Sequence, residues 1–206
     1  MSADLRPDDL LIERIALGDR EAFAELYGRH RSDVCRFAAH MCGSASLAED
    51  IVHEVFLALI GSASRYRPGL TTARLWLFGI ARNHVRRARS LRQMLSLDDE
   101  SGGAKALAER SDRAFRADAD PDGDIDRRRD IDALRRAVVA LPMRYREAVV
   151  LCDLQELSYA DAAATVGCAI GTIRSRLHRG RTLLAKRLCR VDAAEPCPLP
   201  VTRTMP

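Results

Sequence analysis

Apolar residues return every three or four positions along most of this chain, and the alternation of a half-buried strand is absent. Leu11, Ile15, Phe23, Leu26, Tyr27, Val34 and Phe37 keep helical spacing across residues 8–42, with Gly18 and Asp19 as punctuation. After the turn GSAS, Ser46 and Glu49 form an S-x-x-E capping box. It predicts a helix over 47–60 that is apolar through Ile51, Val52, Val55, Phe56 and Leu59 and carries Glu49, Asp50, His53 and Glu54 on another side. The loop GSASRYRPGLTT then leads into a helix over about 72–92. Leu75, Trp76, Phe78, Ile80 and Val85 are its apolar members, and its later turns become arginine-rich.

Further along, Leu134, Val138 and Leu141 mark a short helix, and Pro142 sits at the first turn of the next, 142–154, which buries Tyr145, Val149 and Leu151. Ser158 with Asp161 is a second capping box, opening a helix over 159–166, and Gly167 supplies the left-handed residue that stops it. Ala163 lies where two helices cross closely. In the following stretch, AIGTIRSRLHRGRTLLAKRL, Ile170, Ile173, Leu177 and Leu184 share one stripe at about 100° per residue. Opposite them lie Gly171, Thr172, Ser175, His178 and Arg179, flanked by Arg174, Arg176 and Arg181. Short helix, glycine turn and second helix make the layout of a helix-turn-helix, whose second helix enters the major groove by its N-terminal turns. The expected fold is all-α: two helical domains joined by a flexible acidic linker, the C-terminal one a helix-turn-helix.

Charge sharpens this picture. The net charge of +4 hides four blocks. Residues 1–54 carry −5, and residues 55–95 carry eight arginines and no acid. Residues 96–130 carry −4, residues 131–206 carry +5, and 162–191 are again free of acids. A solvated helix usually mixes signs, so two basic blocks separated by an acidic segment point to two nucleic-acid contacts. The segment 96–130, with low hydrophobicity and glycine and proline breaks, reads as a linker with a transient helix near 104–115. No run of eighteen apolar residues exists, and the N-terminus lacks a signal-peptide pattern, so a cytoplasmic protein without membrane insertion is expected.

From Leu141-Pro142 through LSY, the GTIRSRLHRGR core and the closing leucines, the sequence resembles the promoter-binding C-terminal domain of extracytoplasmic-function sigma factors of the sigma-70 family. REAFAELYGRH, AEDIVHEVFLALI and ARLWLFGIARNHVRR resemble, in order, three conserved parts of that family's N-terminal domain. The resemblance implies a domain over 1–95 for core polymerase and the minus-10 element, a linker over 96–130, a minus-35-binding domain over 131–191 and a tail over 192–206. It implies polymerase docking through Asp50, His53 and Glu54, and a melted minus-10 strand held by Tyr66, Arg67, Arg74, Arg82, Asn83, Arg86 and Arg87. Minus-35 contacts fall to Gly171, Thr172, Arg174, Ser175, Arg176, His178 and Arg179. The implied partners are core RNA polymerase, promoter DNA and an anti-sigma protein; no cofactor, no metal and no catalysis are implied. A stand-alone helix-turn-helix regulator and an adaptor that no longer opens DNA are the alternatives. Two departures stand out: Ala162 replaces a larger aliphatic residue, and Ala169 stands where serine often caps the recognition helix.

Other features are read as structural. Trp76, imaginable as a wedge on a base, belongs with Leu75, Phe78 and Ile80 in the core. Cys35, Cys42, Cys152, Cys168, Cys189 and Cys197 form no C-x-x-C pair and read as thiols. A redox or metal-sensing role for Cys152, Cys189 or Cys197 stays open at this stage. Asp120, Asp122 and Asp124 approach calcium-loop spacing, but Ile131 stands at the twelfth position, where a glutamate is required.

Overall fold

The computed structural model describes residues 7–97 and 125–192. Among them the regular structure is helical, with one isolated bridge between Pro68 and Thr71. The N-terminal half holds α1 (Pro7–Ala16), α2 (Arg20–Cys42), α3 (Ala45–Ser62), a 3-10 turn over Ala63–Arg65, and α4 (Ala73–Leu97). The C-terminal half holds α5 (Ile125–Val139), α6 (Met143–Val149) with a π-helical turn over Val150–Leu154, α7 (Tyr159–Val166) and α8 (Ile170–Asp192). The all-α expectation holds. The transient helix near 104–115, the acids Asp120, Asp122 and Asp124, Cys197 and the tail beyond Asp192 lie outside the described residues.

Helix ends follow side-chain chemistry. Asp19 opens α2 by accepting from the Glu21 and Ala22 amides at 2.9 and 3.1 Å. The Ala22 amide, then the Arg14 guanidinium, hold its carboxyl below the usual range. Ser158 opens α7, accepting from the Asp161 amide at 3.1 Å and donating to Asp161 Oδ2 at 2.7 Å, and Gly167 closes it at φ 72°. The cap of α3 is Ser44, not Ser46: its Oγ accepts from the Leu47 amide. Gly43, at φ 71°, already ends α2 in the left-handed region, so the chain re-enters a helix two residues earlier than the capping box suggested. Pro142 is likewise the residue before α6, not in its first turn. α5 begins at Ile125, inside the stretch read as linker. After Gly123 that stretch has no breaker, and arginine is a good helix former, so the helix propagates back from its packed end at Ala137 and Val138.

α2 is the hub, packing against α1, α3 and α4. Phe37 and Phe78 are fully buried with ring centroids 5.2 Å apart, and Phe23, Tyr27 and Phe56 form a second aromatic group. Full burial of such a side chain contributes roughly 1.5–3 kcal/mol. In the C-terminal half, Val149, Leu151, Ile173 and Leu177 are buried between α6, α7 and α8. Ile170 and Leu134, expected in apolar stripes, are partly exposed instead, at 44% and 38%. Ile170 is the first residue of α8, and full burial of its stripe begins at Ile173.

The halves pack on one another. α2 lies against α5, α6 and the π turn, and α4 lies against α7. Gly43 makes this possible, since a Cβ there would stand 2.6 Å from Val139 Cγ1. No helix among the described residues is long and apolar enough to cross a membrane.

Candidate nucleic-acid interface

The helix-turn-helix comes from α7, the turn at Gly167 and α8. Ala162 and Ala163 are buried where the two helices meet, while Ile173 and Leu177 fix α8 from beneath. That packing leaves Gly171, Arg174, Ser175, His178 and Arg179 at the surface, with Thr172 and Arg176 half-buried beside them. Ser175 Oγ donates to the Thr172 carbonyl at 3.0 Å. Arg174 lies over the Tyr159 ring at 5.8 Å, and Arg144 over the Tyr145 ring at 4.7 Å. A hydrogen bond from Arg179 holds the Tyr145 phenol below its ordinary value. Arg181 differs from its neighbours: Asp153 Oδ2 accepts from its Nε at 3.1 Å and Oδ1 from Nη2 at 2.6 Å. It is engaged within this half. At the other end, the Ala169 carbonyl accepts from the Thr172 amide at 2.9 Å. Its methyl group offers no acceptor, which leaves the first turn of α8 open to a phosphate oxygen.

The second basic block lies on α4 and the loop before it. Asn83, Arg86 and Arg87 are exposed, as is Arg67, whose Nη1 donates to the Ser64 and Tyr66 carbonyls. Arg74 and Arg82 are drawn toward the C-terminal half. Arg74 Nε donates to Asp33 at 3.1 Å and its Nη2 to Gln155 Oε1 at 3.2 Å, while Arg82 Nε donates to Glu147 Oε1 at 2.9 Å. Tyr66 is only 5% exposed. Its hydroxyl lies 2.5 Å from Asp9 Oδ1 and 3.0 Å from the Thr71 carbonyl, and its ring packs on Trp76 at 5.1 Å. Tyr66 therefore anchors the loop in this arrangement and presents no face to solvent. Trp76 packs against the core, as its apolar neighbours suggested.

On α3, the buried stripe of Ile51, Val52, Val55, Phe56 and Leu59 leaves Asp50, His53 and Glu54 exposed on the opposite side. Leu57 and Ile60, half exposed, adjoin them. Acids beside exposed apolar groups make a surface suited to a protein partner.

Residues 26–93 match the family model for sigma-70 region 2, and residues 131–184 match that for sigma-70, region 4. The chain is 38% identical over 180 residues to the RNA polymerase sigma factor CarQ of Myxococcus xanthus, covering 86% of this chain and 95% of that one. The chain belongs to the extracytoplasmic-function sigma factors of the sigma-70 family. To the ECF RNA polymerase sigma factor SigE of Mycolicibacterium smegmatis this sigma factor is 36% identical, over 85% of its own length and 66% of that protein's. Among solved structures it is similar to the sigma factor RpoE of Bartonella quintana, crystallised with the anti-sigma factor NepR, at 26% identity and a TM-score of 0.67 over 81% of this chain and 96% of that one. Its role is promoter recognition for RNA polymerase at transcription initiation.

Several residues at the site were not legible in advance. Arg146 and Glu147 are buried side by side in α6, and Gln155 is buried at the end of the π turn. As adjacent charges in a short amphipathic stretch, the first two look like solvated positions. Gly180 belongs with them, and its signal is a glycine inside a helix, unfavourable by about 1 kcal/mol relative to alanine. A Cβ there would stand 2.8 Å from Val149 Cγ2 and 3.3 Å from the Tyr145 carbonyl, so α6 and α8 cross at this point. No disulfide joins the described cysteines. Burial, then Asp153, pushes the Cys152 thiol up, away from the reactive thiolate a redox switch needs.

Proposed function

We propose that this sigma factor reads the minus-35 duplex with the exposed face of α8, through Gly171, Thr172, Arg174, Ser175, Arg176, His178 and Arg179. The observation that carries this reading is an acid-free helix face whose arginines stand at the surface above a buried apolar stripe. Arginine matches guanine edges bidentately, serine and threonine reach phosphates or bases, and the uncapped first turn favours an anion. The minus-10 strand falls to Arg67, Arg74, Arg82, Asn83, Arg86 and Arg87, whose cations clamp the backbone while Asn83 offers hydrogen bonds to a flipped base. Tyr66 serves this surface by holding the loop in place. Core polymerase docks on α3 at Asp50, His53 and Glu54, with Leu57 and Ile60 as the apolar part of the contact.

The protein works as a non-enzymatic subunit in the cytoplasm, with residues 1–95 and 131–191 as its two functional domains. An anti-sigma protein is the natural regulatory partner, since the related RpoE of Bartonella quintana was solved bound to one. Abortive transcription with purified core polymerase on a pool of bacterial promoters tests this function. New promoter-selective transcripts are expected. Duplex binding by the isolated chain without any association with core polymerase would overturn it in favour of a solitary regulator.

A further inference from the structure

The loop between α3 and α4 is tied across its base by one side chain. Tyr66 follows the 3-10 turn, and its hydroxyl lies 3.0 Å from the Thr71 carbonyl at the far end of the loop. The next residue, Thr72, accepts from the Leu75 amide at 3.2 Å in the first turn of α4. Between Tyr66 and Thr71 the chain turns through Gly69 at φ 85°, and Leu70 stands out beside the exposed Arg67. The same Tyr66 hydroxyl donates to Asp9 Oδ1 at 2.5 Å. Asp9 belongs to α1, which packs on the 3-10 turn, and this carboxylate is only 2% exposed.

We propose that Asp9 is a positioning residue for the minus-10 strand: through Tyr66 it fixes the base of this loop, so that residues 67–70 and the start of α4 hold one shape when a melted base arrives. This rests on the assignment of Arg67 and Asn83 to that strand. Asp9 is too deeply buried to meet a nucleotide itself, so it acts only through the phenol. A phenol carries a single proton, and the shorter contact takes the larger share of it. Tyr66 is thereby held to α1 as well as to its own loop, and α1 lies ahead of the residues 26–93 that match sigma-70 region 2. The division of labour follows from the chemistry. Arg67, Arg86 and Arg87 attract any strand, whatever its sequence. A loop free to shift can pair with whichever base arrives, whereas a fixed one leaves the polar groups of a wrong base unmatched. Asp9 therefore governs discrimination between sequences and adds little to general strand affinity.

The test uses the full chain bound to core polymerase, comparing wild type with Asp9→Ala, Tyr66→Phe, the double variant and the charge-loss control Glu13→Gln on the exposed side of α1. Affinity is measured for two fluorescein-labelled single strands: the non-template minus-10 segment of a promoter recovered in the transcription assay, and the same segment scrambled. The ratio of the two affinities should fall about tenfold in Asp9→Ala and in Tyr66→Phe, the worth of one hydrogen bond, and no further in the double variant. Affinity for the scrambled strand should stay within about twofold throughout, and Glu13→Gln should match wild type. Tyr66→Phe keeps the ring on Trp76, so it serves where Asp9→Ala fails to fold. A folded Tyr66→Phe with the wild-type ratio would overturn the proposal. So would an equal loss on both strands, which would make the contact one of stability alone, or single effects that add in the double variant. A wild-type holoenzyme that does not tell the two strands apart would sink the minus-10 assignment itself, and the proposal with it, whereas wild-type discrimination that the variants retain would sink the role of Asp9 alone.

Discussion

On α8, Arg174 and Arg179 stand at the surface beside Ser175 and His178; on α4, Arg82 lies against Glu147 and is almost completely covered. Both surfaces come from arginine-rich helical stretches without an acid, and either could be mistaken for the other on composition. What separates them is where the neighbouring chain runs. The apolar stripe of α8 is satisfied inside its own half by α6 and α7, which leaves the opposite side open. α4 is packed both by α2 and α3 and, across the seam, by α7, and Glu147 of α6 reaches Arg82, so part of its basic side faces protein. A basic helix is therefore a necessary condition for a nucleic-acid contact, and its availability is a separate, tertiary property.

That contrast can be broken at the seam first. Replacing Arg146 with Leu strands three carbonyls that now accept from a guanidinium, and chemical denaturation should register a loss of about 3 kcal/mol. An equal loss in a fragment holding only residues 125–206 would show that Arg146 serves its own half and not the seam. Acid should act next. Burial, followed by the nearby charges of Arg135 and Arg36, pushes the His40 imidazole down to about 4 from its ordinary 6.5. The unfolded chain takes up that proton near pH 6.5 while the folded chain declines it, so the stabilisation is complete above 6.5 and is lost as the pH falls toward 4. The expected cost is about 2 kcal/mol at pH 5. His40→Gln should flatten the difference between urea midpoints at pH 7 and pH 5, and an unchanged pH slope in that variant would show that another group carries it.

On the open surface the effects are smaller and confined to DNA. Arg174→Ala should weaken holoenzyme binding to a minus-35 duplex by about tenfold and leave thermal stability within experimental error. A loss equal on specific and random duplex would make Arg174 a phosphate contact. Smallest of all, Gly180→Ala adds helix propensity but drives a methyl into Val149, so unfolding should show a net loss of about 1 kcal/mol.

Periodicity and capping chemistry were enough to read the helices around Ser158 and Gly167, the buried Ile173 and Leu177, and the outward set on α8, because a helix places residues three and four apart on one side. The same reasoning put Asp50, His53 and Glu54 opposite a buried stripe. It misplaced the start of α3, where a two-residue turn at Gly43 and Ser44 outcompeted the capping box at Ser46. The resemblance placed Tyr66 among the minus-10 contacts, but Asp9, fifty-seven positions earlier, lies at its hydroxyl and the ring is buried. Ile170 shares the apolar stripe, yet as the first residue of α8 it stays 44% exposed.

By itself, the sequence determined that this protein is all-helical, that it carries two separate basic blocks, and which side of α8 faces outward. Those properties are local, fixed by side-chain period, caps and charge. Only the tertiary structure decided that α2 closes on α5 at Gly43, that Arg146 is buried among three carbonyls, and that Glu147 occupies Arg82. Such pairings join residues 65 and 105 positions apart, and nothing in the period of a helix encodes which distant carboxylate or carbonyl a given arginine will meet.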